Sequence, residues 1–273
     1  MERQNTHSYL FSSEELSEYR EKGYLVREKV FDAREIEDLV AHVEKAVASI
    51  RRLIPSGKTY HLDGNRFVDI GNTTVQFEHA SGSPDIRVIE PVSGLDMGLD
   101  RLMESPRIVQ PIRSILETDR ISLWTNKLNL KTRESGSGFD WHQDSPYWVY
   151  DSDDVDKLPN VYLAFDEANR ENGCLRVIES SHKSGCLPGR DDGTQLGGFF
   201  TDRNHIRFEA EVLLEVPAGS LVFFDPHLIH GSRSNMSKRQ RRALVITYQR
   251  AGFPMLKTGE INNIEGSSIG YSQ

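Results

Sequence analysis

The sequence predicts a mainly β fold, a sandwich or barrel of short strands flanked by helices, and three observations carry that prediction. Beyond Arg120, strand signals follow one another closely with turn residues between them. Before Arg120, one long stretch places apolar residues at steps of three and four, which makes a helix with a single face to bury. The 273 residues are 37% hydrophobic and 27% charged, an ordinary globular composition with material for one substantial core.

Taken in order, residues 12–21 read as a short helix, with Ser12 or Ser13 able to cap it, Glu15 in its first turn and an end near Gly23. Tyr24-Leu25-Val26 reads as a strand. From Ala33, the residues Ile36, Leu39, Val40, Val43, Val47 and Ile50 form the apolar stripe of a long helix. The stretch from Pro55 to Pro84 mixes Gly, Asn and Ser with alternating segments at 66–70 and 74–77, which predicts a hairpin or meander. Residues 98–117 return to helical spacing. Strands are then predicted at 121–130, 139–142, 161–165, 175–178, 210–216, 221–224 and 243–248. Between Ser184 and Asn204 the chain is polar and Gly-rich with no sustained period, as expected of a long loop lying over a site. With no repeat or linker, the chain is expected to be one domain over 1–273. In it, residues 1–120 supply helical support and a meander, 121–250 the β core, and about 184–205 a lid.

Charge narrows the function. Lys and Arg number 33 against 41 Asp and Glu, a net −8, which argues against phosphate neutralisation on nucleic acid and against an anionic lipid surface. No apolar run approaches the roughly 18 to 20 residues of a membrane-spanning helix, and the first seven residues carry no secretory pattern. Two cysteines, Cys174 and Cys186, make neither a disulfide framework nor a Cys-rich zinc site. The expectation is a cytoplasmic monomer or homodimer acting on a small molecule, with no nucleic-acid or membrane partner.

Trp141-His142-Gln143-Asp144 closes one predicted strand. Strand side chains alternate, so His142 and Asp144 are expected to share a face opposite Trp141 and Gln143. Taken alone, the pattern also fits a hydrogen-bonded His beside a solvated Asp. Phe223-Phe224-Asp225-Pro226-His227-Leu228-Ile229-His230-Gly231-Ser232 offers two more imidazoles at the end of a strand, and either His227 or His230 could face the first pair across a barrel mouth. Two imidazoles and one carboxylate on one face of a metal leave positions open for a co-substrate and O₂, which suits non-haem Fe(II) better than zinc. In the basic run Lys238-Arg239-Gln240-Arg241-Arg242, one arginine could grip a carboxylate in the barrel. Arg241 and Arg242 face opposite ways and cannot both do so.

The set His142-x-Asp144, His230-Gly231-Ser232 and Arg241, eleven positions after His230, resembles the phytanoyl-CoA dioxygenase (PhyH) family of Fe(II)- and 2-oxoglutarate-dependent oxygenases. Glu171-Asn172-Gly173-Cys174-Leu175 with Ser180-Ser181-His182-Lys183 resembles the family's "NGxL … GSH" segment, with Ser180 where glycine is usual. Residues 15–30 resemble its opening helix, "GY" and strand. The resemblance implies a double-stranded β-helix, a distorted jelly roll, with His142, Asp144 and His230 as iron ligands. It implies that Arg241, helped by the Ser232 hydroxyl, holds the distal carboxylate of 2-oxoglutarate. Thr125 and Asn129 match positions that contact the co-substrate in relatives, though Thr125 departs from the glutamine found in ectoine-hydroxylase-like members. Tyr162 matches an aromatic that lies against 2-oxoglutarate. Tyr147 and Trp148, close after Asp144, are expected to wall the substrate pocket.

The implied reaction consumes O₂ and 2-oxoglutarate, releases succinate and CO₂, and oxidises an unactivated C–H bond. Hydroxylation is the expected outcome, because Asp144 fills the position that related halogenases leave to a small residue. A small molecule of specialised metabolism is the first expectation for the substrate and a CoA thioester the second. His182 is expected to be a hydrogen-bonded strand-end residue, and Cys174 and Cys186 structural. His7, His42, His61, His79 and His205 carry no spacing signal, and Arg190, Arg203 and Arg207 in the long loop could meet an anionic group. Two rival readings are a zinc or manganese cupin-like hydrolase or isomerase using the same ligands, and a non-catalytic jelly-roll binding protein.

Overall fold

The computed structural model describes residues 9–265; His7, with the reading of the first seven residues, lies outside them. Helix α1 (Ser13–Lys22) starts where Ser12 accepts from the Glu15 backbone N–H while the Glu15 carboxylate accepts from that of Ser12, a reciprocal cap. It ends at Gly23, whose φ of 84° only glycine takes without strain. Strand β1 (Tyr24–Arg27) follows, and then α2 (Ala33–Leu53), capped by Asp32 in the same way and burying Ile36, Val43, Ala46 and Ile50. The meander is β2 (Lys58–Leu62), β3 (Asn65–Ile70) and β4 (Thr73–Phe77).

A further strand, β5 (Ile86–Glu90), escaped the sequence reading although Ile86-Arg87-Val88-Ile89 carries β-type residues. The helical spacing over 98–117 resolves into α3 (Met97–Met103) and α4 (Pro106–Leu116), because Pro106 has no N–H to continue a helix and is suited to start one.

The β core then runs β6 (Ile121–Lys131), β7 (Phe139–His142), β8 (Asn160–Ala164), β9 (Leu175–Ile178), β10 (Glu211–Leu214), β11 (Leu221–Phe224), β12 (His230–Ser232), β13 (Arg241–Arg250) and β14 (Asn263–Ile264). A ten-stranded sheet has the order β1-β11-β8-β13-β6-β5-β4-β3-β2, with β14 beside β6, and a four-stranded sheet has the order β10-β9-β12-β7. Every pairing between them is antiparallel, and the architecture is the cupin-like jelly roll that was expected. The large sheet crosses the 120/121 boundary, since β5 pairs with β6 and β1 with β11.

Central strands are buried on both faces, and their alternation assigns each residue to one of two cores. Val161, Leu163, Leu221, Phe223, Leu244 and Ile246 pack outward under α2, α3 and α4. Tyr162, Val222, Phe224, Ala243 and Val245 point inward and meet Leu175 and Val177 of the small sheet. The functional groups lie at one end of that inner layer.

Candidate active site

The small sheet brings two stretches of sequence together. In the β12–β7 pairing His230 stands opposite His142, with ring centroids 4.2 Å apart. Each ring presents Nδ1 to a backbone carbonyl two residues earlier, His142 to Asp140 at 2.7 Å and His230 to Leu228 at 2.9 Å. That contact places the proton on Nδ1 and leaves Nε2 as a lone pair. His230 Nε2 lies 3.8 Å from Asp144 Oδ2. One donor atom from each of His142, Asp144 and His230 falls within 4.8 Å of the others, which is the geometry of a metal-holding triad.

Asp144 reaches this position by a route the alternation argument did not anticipate. β7 ends at His142, and Asp144 has helical backbone angles (φ −79°, ψ −31°) at the start of a short turn. Its N–H and that of Ser145 both donate to Pro226 O, at 3.1 and 3.0 Å, so the β11–β12 connection aims the carboxylate, not strand pleating. His230 likewise does not close the 221–224 strand: it opens β12 in the other sheet. His227 is taken up elsewhere, its ring between Ser145 Oγ and Asp156 Oδ1 at 2.8 Å each, which settles the choice between the two histidines. Gln143 braces the turn, donating to His227 O at 2.6 Å and to Gly185 O at 2.8 Å.

Burial, then the neighbouring His230, pushes the His142 imidazole down to about 3, and burial also holds His230 low despite Asp144. Both rings are therefore neutral ligands at physiological pH. Burial raises the Asp144 carboxyl, but Lys127, joined at acid pH by the two imidazoles once they are protonated, more than offsets it, and it stays below its ordinary value. Asp144 Oδ1 accepts from Lys127 Nζ at 3.2 Å, whereas the buried Oδ2 has no hydrogen-bond partner. Two neutral imidazole lone pairs and one orphaned carboxylate oxygen are the donor set that a ferrous ion fits.

The triad opens on a cavity of about 570 Å³. Arg241, 2% exposed, lines it with Ser232, Asn129 and Tyr162. Arg241 Nη1 donates to Tyr162 Oη at 3.1 Å, its buried Nε has no partner, and among the described residues no carboxylate lies within ion-pair distance. A buried guanidinium in that state suits a bound carboxylate. Arg242 faces away as expected and pairs with Asp166 at 2.7 Å. Asn129 presents a buried Oδ1 without a partner. Thr125 shares its strand face with Asn129, but the structure does not bring it to the cavity wall: its hydroxyl donates to Glu90 Oε1 at 2.8 Å, and Glu90 is the lining residue. Trp148 packs edge-on against Trp124, and Tyr147 stacks on Phe199 at 4.3 Å; both line the cavity.

Sequence reasoning missed Lys127, although a lysine between Thr125 and Asn129 on one strand face was a legible signal. It also missed Arg87 and Glu90 of β5, which only sheet pairing carries to the site. In the long loop Arg190 lines the cavity but is engaged by Asp140 at 2.9 Å and Asp192 at 2.8 Å, while Arg203 and Arg207 are outside the lining. His182 is hydrogen-bonded as expected, its Nε2 3.0 Å from Arg20 O, but it lies in a short helical turn at 181–184 and not at a strand end. Cys174 is buried and Cys186 exposed, both free thiols. His79 sits at the cavity rim and His61 is exposed on β2.

Comparisons with known proteins show the family to which the chain belongs. The profile of the Phytanoyl-CoA dioxygenase (PhyH) family matches residues 19–243. A probable alpha-ketoglutarate-dependent hypophosphite dioxygenase of Stutzerimonas stutzeri is 27% identical over 264 residues, 94% of this chain and 85% of that protein. The peroxisomal phytanoyl-CoA dioxygenase of Homo sapiens is 26% identical over 265 residues, 93% of this chain and 73% of that protein. An ectoine dioxygenase of Bordetella bronchiseptica is 27% identical over 259 residues, 87% and 75% of the two chains. Among solved structures, EctD from S. alaskensis shares the fold at a TM-score of 0.69 and 21% identity, covering 92% of this chain and 80% of that one. With its fold, its His-Asp-His triad and a profile match over most of its length, the chain belongs to the phytanoyl-CoA dioxygenase (PhyH) family of non-haem iron, 2-oxoglutarate-dependent dioxygenases.

Proposed function

We propose that this enzyme hydroxylates an unactivated C–H bond of a free small molecule of specialised metabolism, releasing succinate and CO₂. The carrying observation is the pair of unmet demands across one cavity: a partnerless Asp144 Oδ2 beside two imidazole lone pairs, and a buried Arg241 with no carboxylate. In this reading His142, Asp144 and His230 hold Fe(II), which when bound supplies the O₂ activation the side chains lack. Arg241, Ser232, Tyr162 and Asn129 hold 2-oxoglutarate. Lys127 keeps Asp144 ionised and turned so that Oδ2 faces the metal position. Tyr147 and Trp148 wall the substrate side and exclude water.

A volume of about 570 Å³ suits a compact substrate together with the co-substrate. The relatives named above act on hypophosphite, ectoine and phytanoyl-CoA, so membership bounds the substrate only to small molecules and their thioesters. Residues 1–273 act as one domain in this reading, supported by the sheet that crosses residue 120. The segment 184–205 serves as the lid. In support, Arg190, Thr194, Leu196 and Phe200 line the cavity, and Asp63 of the β2–β3 turn accepts from the N–H groups of Gln195 and Leu196 at 3.1 and 2.7 Å.

The test is conversion of 2-oxoglutarate to succinate by Fe(II)-loaded protein across metabolite pools. The expected result is succinate formation stimulated by one pool together with a product that gains one oxygen atom. Turnover supported by zinc alone, or iron-loaded protein that never consumes 2-oxoglutarate, overturns the reading.

A further inference from the structure

Strand β5 breaks its own alternation where it meets the cavity. Against β4, Ile86 pairs with Phe77 and Val88 with Gln76, so Arg87 is an extra residue with no partner on that strand, a β-bulge. Ile86 and Ile89 stay in the outer core, while Val88 and Glu90 line the cavity as the pleat requires. Arg87 lines the cavity as well, beside Val88, because the bulge turns it to that side.

The Arg87 side chain is 8% exposed and lies over the Phe139 ring at 3.7 Å, with Nη2 donating to Gly138 O at 2.6 Å. Nη1 has a long contact with Gln76 Oε1 at 3.4 Å, and the buried Nε has no partner. Among the described residues no carboxylate lies within ion-pair distance of it. The opposing charge is Glu78, whose Oε2 is held by the Ser137 N–H at 2.9 Å and by the Ser137 hydroxyl. Burial, opposed by Glu78, pushes the guanidinium down to about 10, so it stays a cation at neutral pH. A buried cation with an open donor carries a desolvation cost that a bound anion offsets.

The other cations of the cavity wall are engaged. Arg190 is held by Asp140 and Asp192, Lys127 by Asp144, and Lys257 donates to the Thr74 hydroxyl at 2.7 Å. In the reading above Arg241 takes one carboxylate of 2-oxoglutarate and the keto-acid end belongs at the triad, so the co-substrate leaves Arg87 unclaimed. Arg87 also faces the substrate side. The Tyr147 phenol, raised by burial, lies in the field of Lys127, Asp144, Arg87 and Glu90.

We infer that Arg87 selects the substrate: the cavity takes a small molecule bearing an oxyanion, a carboxylate or a phosphonate, which the guanidinium binds while the carbon to be oxidised faces the triad. The inference rests on the reading of the protein as a 2-oxoglutarate-dependent hydroxylase and narrows its substrate to anions. The Nε donor that the protein leaves unmet gives such a group a charge-assisted hydrogen bond. A neutral molecule of the same shape leaves the cation buried and unpaired, and that penalty is what makes the discrimination steep.

The test measures succinate formation by Fe(II)-loaded protein with a panel of small carboxylates and phosphonates, each matched by its neutral amide or ester. The expected result is stimulation by an anionic member, whose neutral counterpart has a KM higher by about tenfold or more. Arg87→Met should raise KM for that acid by a similar factor, and Arg87→Lys should recover part of the loss. The same Arg87→Met change should leave KM for the neutral counterpart within about twofold, and the calorimetric dissociation constant of 2-oxoglutarate, measured under argon, within about threefold. A defect of packing penalises acid and neutral counterpart alike, so the unequal response separates recognition from structure. A panel in which no acid stimulates, a preference for the neutral counterpart, or an equal response of both to Arg87→Met overturns the proposal. So does an Arg87→Met protein that loses affinity for 2-oxoglutarate and not for the acid. Iron-loaded wild type that consumes no 2-oxoglutarate under any condition overturns the hydroxylase reading instead.

Discussion

Lys127 and Lys131 lie four residues apart on the same face of one strand, and their surroundings send them in opposite directions. Burial lowers the Lys127 ammonium, but Asp144 and then Glu90 more than offset it, and the group is held above its ordinary value. Lys131 meets Arg241 and Arg87 in place of carboxylates and falls to about 6. The lesson is that desolvation acts on both lysines while partner charge decides the outcome. Position 127 of β6 is therefore built as an ion pair beside the His-Asp-His triad, and position 131 as a like-charge contact beside Arg241.

The largest effect that could break this contrast comes from the ion-pair partner of Lys127. Asp144→Ala should lower Fe(II)-dependent succinate formation by at least about 10³-fold, through loss of metal binding, while circular dichroism shows the fold retained. His142→Ala should do the same, and an unchanged rate in either variant would remove the triad from the reaction.

Next comes the pair of lysines itself. Lys127→Met should weaken Fe(II) binding by roughly 10- to 100-fold, because Asp144 Oδ1 loses the contact that orients it. Lys131→Met should leave Fe(II) binding unchanged and the melting temperature equal or higher, since it removes a buried group that is neutral in the folded chain and charged in the unfolded one at pH 7. Equal responses of the two variants in both measurements would erase the distinction.

A smaller effect concerns the backbone that shelters Lys131. Gly173→Ala imposes a Cβ at positive φ against the Arg233 carbonyl and should cost about 1–3 kcal/mol in denaturant unfolding. The same change at Gly64, positive in φ but with open space around it, should cost less, isolating the steric part.

The most gradual effect is the acid dependence of the metal-free protein. His142 has a depressed value in the folded chain, so the unfolded chain binds the extra proton, and stability present above about 6.5 is lost as pH falls toward 3. The expected slope is roughly 1 kcal/mol per pH unit below 6.5, and it should flatten in His142→Gln.

Much of this was legible in one dimension. The Ser12 and Glu15 pair, the apolar stripe from Ile36 to Ile50 and the β-type runs of β6, β8, β9, β11 and β13 are local signals, and the elements form where they point. β12 is three residues long, and its identity comes from pairing with β7 and β9 rather than from propensity. β5 was passed over because the turn residues before it dominate the local pattern.

By itself the sequence determined the residue types that can carry the chemistry, their spacing, and the alternation that divides the β strands between two cores. The family resemblance had already named His230 over His227; tertiary structure alone decided that the Pro226 carbonyl aims Asp144 and that Glu90 stands between Thr125 and the cavity. It also decided which lysine of β6 meets a carboxylate and which meets an arginine. Ligand geometry and charge state depend on atoms a few ångströms apart in space and up to about a hundred positions apart in sequence, and only strand register brings such atoms together.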